Sequence, residues 1–192
     1  MAGISPTKVQ LRRILRQRRQ AISASAQQFA AHSLTQSVRK LPIWDSAERV
    51  AVYMAADGEI DTKPLATLAW AAGKHVFLPT INDDQSLNFA YWLKDEVLTR
   101  NRYNIAEPPK GVSSCPIPEL DIIFLPLVGW DLDGGRLGMG GGFYDRTLTN
   151  TAGPLLVGLA HDCQQVDEVP RDSWDVTLHY IATDVALYQC KG

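Results

Sequence analysis

The sequence predicts an α/β fold: a single three-layer domain over residues 1–192, with a largely parallel central sheet flanked by helices and an N-terminal helical segment. Three observations predict it. Short apolar runs rich in β-branched residues alternate with helix-period segments from Arg49 onward, as in a wound parallel sheet. A chain of 192 residues with 45% hydrophobic residues has the size and composition of one domain with a full core. The first 44 residues differ from the rest, being helical in pattern and strongly basic.

The elements follow in order. Ser5 and Pro6 suit a helix cap and first helical position, and Leu11, Ile14, Leu15 and Ile22 supply an apolar stripe behind them. Lys8, Arg12, Arg16 and Arg19 recur every three or four residues and line one side of that helix. Ser23 or Ser25 caps a second helix with Ala30, Leu34, Val38 and Leu41 on its buried side, ended by Pro42. Arg49–Met54 reads as a buried strand. Asp61 or Thr62 caps a helix that runs to Ala72 and stops at Gly73. His75–Leu78, Leu87–Trp92 and Asp121–Val128 read as strands, the last being the strongest central-strand candidate. Four prolines make Glu107–Pro118 an ordered surface loop. A helix is expected over Phe143–Asn150, then strands at Leu155–Ala160, His179–Thr183 and Val185–Tyr188. There is no internal repeat and no linker.

Composition excludes several classes. Nothing resembles low complexity or disorder. The longest strongly apolar run, Ile122–Trp130, has nine residues, too few to span a bilayer. No signal-peptide h-region is present at the N-terminus. Cys115, Cys163 and Cys190 follow no ligand spacing, and a reducing cytoplasm is the expected setting. The net charge of −2 conceals an asymmetry: eight basic residues and no acid before Asp45, then 11 basic against 21 acidic groups. From charge alone a solvated helix face, a site for a nucleotide's phosphates and an RNA-binding face all fit.

The chemistry concentrates in Gly134–Arg146, GGRLGMGGGFYDR. Six of the 14 glycines fall within its first nine residues, after the central strand and before a helix. Glycine allows positive φ and close backbone approach to a ligand, and successive free amides make an anion site. A hairpin turn at Asp133-Gly134-Gly135 would account for two glycines and leave four. Neither GxxxxGK[ST] nor GxGxxG fits, so this is a different phosphate loop. Asp145, at the start of the next helix, suits either the helix dipole or Mg²⁺ held against phosphates. Asp175 is a second candidate for the metal, with a turn role as the alternative. Glu59, in the loop after the first strand, lies at the same sheet edge and is a candidate for recognising a ligand N–H group.

These pieces resemble the 5-formyltetrahydrofolate cyclo-ligase family, the methenyltetrahydrofolate synthetases. The resemblance covers nearly the whole chain. It is carried by KVQLR at Lys8–Arg12, YMAADGEIDT at Tyr53–Thr62, DIIFLPLVGWDLDGGRLGMGGGFYDR at Asp121–Arg146 and VPRDSWDV at Val169–Val176. It implies ATP- and Mg²⁺-dependent closure of 5-formyltetrahydrofolate to 5,10-methenyltetrahydrofolate, releasing ADP and phosphate. It also implies ATP contacts at Lys8, Arg12 and Arg136, Leu137, Gly138, Met139, Gly140, Gly141, Gly142, Phe143 and Tyr144. Metal ligands are implied at Asp145 and Asp175, and folate contacts at Met54, Glu59, Tyr103 and Met139–Phe143. No residue is implied as nucleophile or base. Met139 stands where the family commonly has Arg or Tyr, and Phe143 where it commonly has Tyr, so backbone amides are expected to do most of the holding. The partners expected are the folate and ATP, with no nucleic acid, no membrane and a monomeric chain. Two other readings remain: a non-catalytic folate- or RNA-binding relative, disfavoured by the missing RNP-like aromatics and the acidic remainder, and an α/β enzyme acting on sugar phosphates or acyl-CoA.

Overall fold

The computed structural model describes residues 7–149 and 151–191. Its elements in chain order are α1 (Lys8–Gln20), α2 (Ala24–Val38), β1 (Arg49–Ala51), α3 (Lys63–Ala71), β2 (His75–Ile81), β3 (Leu87–Tyr91), β4 (Thr99–Arg100), β5 (Ala106–Glu107), β6 (Ser114–Cys115), β7 (Ile122–Pro126), β8 (Gly129–Trp130), β9 (Arg136–Leu137), α4 (Phe143–Leu148), β10 (Leu155–Ala160), β11 (Tyr180–Thr183) and β12 (Leu187–Gln189). Eight strands form one sheet in the order β12-β11-β10-β7-β1-β2-β3-β6. The five from β11 to β2 run parallel. Antiparallel strands finish both edges.

The central strands β7 and β10 carry no polar side chain because both faces are covered. Val50, Val76, Ile122, Phe124 and Val157 point into one core with Ala30, Leu34 and Val38 of α2 and Leu65, Ala66 and Ala69 of α3. Their neighbours Ala51, Phe77, Ile123, Leu125 and Leu156 point the other way, onto Trp130 of β8 and Leu148 of α4. A third cluster packs Leu11 and Leu15 of α1 against Val128, Leu137 and Val169. Among the described residues, no helix is long and apolar enough to cross a membrane.

Local chemistry sets the helix ends. Thr7 caps α1 in a reciprocal box with Gln10; Ser5 and Pro6 lie outside the described residues. Ser23 caps α2, whose helical run stops at Val38, four residues before Pro42. At α3 it is Asp61 whose carboxylate accepts from Lys63 N at 3.0 Å. The buried Thr62 hydroxyl instead donates to the Tyr53 carbonyl, tying the helix start to the strand end that reaches the site. Gly73, at φ +74°, stops α3.

Several expectations change. Ile14 is exposed rather than part of the buried stripe, because Leu11 and Leu15 suffice to meet the α1 contact. Glu107–Pro118 contributes the edge strand β6 and a 3₁₀ turn at Ile117–Glu119. The final strand is shifted to Leu187–Gln189. The helix α4 ends at Leu148; Asn150 lies outside the described residues. The glycine segment does not follow β7 directly, because the β8–β9 hairpin intervenes.

Candidate active site

β1 has β2 on one side and β7 on the other, so the chains leaving the carboxyl ends of β1 and β7 diverge and open a crevice between them. In a wound sheet that reversal point is where ligands bind. A cavity of about 510 Å³ lies there, a size suited to small-molecule ligands. Lys8, Arg12, Met54, Glu59 and Tyr103 line it, as do the whole run Arg136–Asp145 and Asp175. The structure therefore brings together every residue to which the resemblance implies a ligand contact, from five separate segments.

One wall is charged. Lys8 Nζ lies 2.6 Å from both Asp172 Oδ2 and Asp175 Oδ2. Burial opposes the Lys8 charge, but the two carboxylates win and raise its pKa. Burial likewise pushes the Asp175 carboxyl up, while Lys8 and the Asp172 amide outweigh it and hold it low. Arg136 pairs with Asp145, whose Oδ1 also accepts from Val176 N at 3.1 Å. Asp145 is thereby bonded to the residue next to Asp175, and the two carboxylates share one corner.

The glycine segment forms the floor. Asp131, 1% exposed, accepts from the backbone N–H groups of Asp133, Gly135 and Val169 and from Arg171. That carboxylate closes the hairpin turn and pins the Val169–Asp175 segment to it. Gly134 and Gly135 belong to this turn. Beyond β9 the character changes: Arg12 Nε donates to the Gly138 carbonyl at 2.8 Å, and Gly140 and Gly142 have φ of +100° and +67°, which glycine tolerates. Among the described residues, the N–H groups of Gly138–Gly142 take no acceptor within the protein. Such a run of free amides suits an anion.

The opposite wall is largely apolar, with Tyr53, Met54, Pro79, Ile81, Leu87 and Ile105. Tyr103, 46% exposed, meets Phe143 edge-on, ring centroids 5.8 Å apart. Glu59 is set into this wall. Its Oε2 accepts from Ala56 N at 3.0 Å, and burial pushes its pKa up. Burial, reinforced by the Glu59 charge, also raises the phenols of Tyr53 and Tyr144, so both stay protonated donors at neutral pH.

Sequence reasoning missed how α1 is divided. Arg19 is fully buried rather than on an open basic face with Lys8, Arg12 and Arg16. It donates to the Asp57 carbonyl and carboxylate and to the Leu127 carbonyl at 2.7–3.1 Å, with Met139 Sδ at 3.7 Å and Glu59 at 4.0 Å. Arg16 also pairs with Asp57. Half of the basic stripe thus holds the Asp57–Glu59 loop. The signal was the Asp57-Gly58 dipeptide, a turn signature: both residues have positive φ, 52° and 77°. Asp172 and Trp174, which line the cavity, and Asp131, which braces its floor, were also missed: all three lie in segments that carry the resemblance, but no role was read for them.

Residues 4–184 match the model of the 5-formyltetrahydrofolate cyclo-ligase family. The chain is 42% identical to the 5-formyltetrahydrofolate cyclo-ligase of Haemophilus influenzae over 174 residues, covering 88% of this chain and 93% of that one. It is 39% identical to that of Escherichia coli over 181 residues, covering 92% and 100%. The solution structure of Aquifex aeolicus 5,10-methenyltetrahydrofolate synthetase superposes with a TM-score of 0.84 at 27% identity, covering 96% of this chain and 93% of that one. With the match running through every segment that lines the cavity, the chain belongs to the 5-formyltetrahydrofolate cyclo-ligase family.

Proposed function

We propose that this chain closes 5-formyltetrahydrofolate to 5,10-methenyltetrahydrofolate with ATP, releasing ADP and phosphate. One observation carries the reading: a single cavity joins a wall of cations, carboxylates and free amides to an apolar, aromatic wall that holds Glu59. Two ligands of opposite character, a polyphosphate and a flat heterocycle, fit side by side. The whole chain, residues 1–192, acts as one unit and as a monomer, in a reducing cytoplasm that suits its three free cysteines.

The formyl group on N5 is an amide, so its carbonyl is a poor electrophile and its oxygen a poor leaving group. Transfer of the γ-phosphoryl group of ATP to that oxygen removes both obstacles and releases ADP. N10 then attacks the activated carbon and loses its proton. The C–O bond breaks, phosphate leaves, and the positive charge is shared between N5 and N10. No protein nucleophile is required, and catalysis rests on positioning and charge neutralisation. Lys8, Arg12 and Arg136 face the phosphates together with the amides of Gly138–Gly142. Glu59 orients the folate through its N–H groups. The Tyr144 hydroxyl and the contact of Tyr103 with Phe143 shape the folate wall, beside Met54 and Met139.

Asp145 and Asp175 are hard carboxylates in one corner, each already balanced by a cation, Arg136 and Lys8. That donor set suits Mg²⁺, which needs only one or two protein carboxylates beside phosphate oxygens. Bound there, the ion would neutralise charge on the phosphates.

The reading is tested by mixing the purified protein with MgATP and 5-formyltetrahydrofolate and following the ultraviolet absorbance of the methenyl product. Folded protein that forms no product would sink the assignment. Asp145→Asn keeps an acceptor for Val176 but loses the charge. Its turnover is expected to fall at least a hundredfold, and wild-type turnover would remove the metal role.

A further inference from the structure

Trp174 is 63% exposed and lines the cavity. A large indole left in water forgoes burial that other tryptophans of this chain obtain: Trp44, Trp92 and Trp130 are buried, and Trp70 packs edge-on against Trp92. Its segment is nevertheless well fixed. The Asp172 amide donates to Asp175 Oδ2 at 2.8 Å, the Asp175 amide donates to the Asp172 carbonyl at 3.0 Å, and Arg171 is anchored on Asp131. The indole therefore stands on a braced turn beside the carboxylates that hold Lys8.

Its position selects its partner. Tyr103 and Phe143 already offer aromatic surface on the folate wall. Trp174 instead belongs to the wall of Lys8, Asp172 and Asp175, where the phosphates go. A nucleotide carries its flat base at the other end from its terminal phosphate, so a polyphosphate held there needs a flat apolar surface close by. Resting on the reading of this cavity as an ATP site, we propose that Trp174 is the stacking platform for the nucleobase of ATP. Base-on-aromatic stacking draws on dispersion and the π-face rather than on hydrogen bonds.

Kinetics and fluorescence test it. Trp174→Ala should raise the KM for MgATP about tenfold, with the KM for 5-formyltetrahydrofolate unchanged, and Trp174→Phe should restore most of the loss. In the wild type, MgADP should quench the exposed-indole emission, and magnesium tripolyphosphate, which has no base, should not. The quench should vanish in Trp174→Phe. Equal quenching by tripolyphosphate, a rise confined to the KM for folate, or wild-type kinetics in Trp174→Ala would each overturn the proposal. The ADP titration needs no turnover. It therefore decides the stacking role even if the wild type yields no methenyl product, an outcome that would instead count against the activity.

Discussion

A Cβ added at Gly134 would lie 2.5 Å from the Leu178 carbonyl oxygen, and one at Gly135 would lie 2.4 Å from Asp131 Oδ2. One added at Gly138, Gly140 or Gly142 would meet only guanidinium atoms of Arg136, Arg12 or Arg146, at 3.5–3.8 Å. The two groups sit in one run of sequence and look alike there. In the first, packing demands glycine, because the hairpin turn closes around a buried carboxylate and against the Leu178 backbone; at Gly134 a φ of +79° adds to that demand. In the second there is room for a methyl group, so packing does not explain the glycines. Backbone conformation at positive φ and access for a ligand do. Gly141 stands apart, since its Cβ would run into the Phe143 ring at 2.5 Å. The difference separates residues that build the site from residues that use it.

The sharpest way to test the packing half is Asp131→Ala. It strips acceptors from three buried or half-buried backbone N–H groups and from Arg171. Orphaning such donors is expected to cost about 3–5 kcal/mol, read as a fall in the urea midpoint with an unchanged slope. A loss below about 1 kcal/mol would mean that the hairpin does not depend on this carboxylate. Next in size is the pair Gly135→Ala and Gly138→Ala. Gly135→Ala forces a methyl against Asp131 and should lose about 1–3 kcal/mol, while the folded fraction keeps its KM for ATP. Gly138→Ala should unfold within about 0.5 kcal/mol of the wild type yet raise the KM for ATP about tenfold, because the methyl stands over the free amides. If both variants move only stability, or both move only KM, the division between the halves fails.

How much of this was legible follows from range. The continuous apolar run of β7, Ile122–Pro126, and the stop at Gly73 are local patterns, and they place the central sheet and α3; α2 ends at Val38, ahead of Pro42. The glycine cluster is equally local, and it marked the cavity floor. Which glycines serve the fold was not legible beyond the hairpin alternative, because the test is what a Cβ would touch, and Leu178 lies 44 positions from Gly134. Arg19 shows the same limit. Helical spacing puts it on a face with Lys8, Arg12 and Arg16, and only the tertiary contact with Asp57, 38 residues away, turns a surface cation into a buried clamp. Asp131 precedes the expected turn at Asp133-Gly134-Gly135, and its bond to Val169 joins segments that no short pattern connects.

The same division runs along α1 and gives the smallest effect. Toward its N-terminus Lys8 and Arg12 reach the cavity, and toward its C-terminus Arg16 and Arg19 hold Asp57. Hydrogen bonds from Arg16, against some opposition from burial and with help from Arg19 and Gln20, lower the Asp57 pKa to about 2. A carboxylate with a depressed folded pKa adds stability above its unfolded pKa, and that stability is lost as pH falls through the folded value. Asp57 should therefore stabilise the fold fully above about pH 4 and lose that contribution between about pH 4 and pH 2. After solvent screening of a partly exposed group the contribution is of order 1 kcal/mol. Urea midpoints of wild type and Asp57→Asn, measured across that range, should differ at neutral pH and converge toward pH 2. A gap that stays constant down to pH 2 would mean that the clamp end of α1 does not act through the Asp57 charge. The folding half of the helix would then rest on the Arg19 contacts to the Asp57 and Leu127 carbonyls alone.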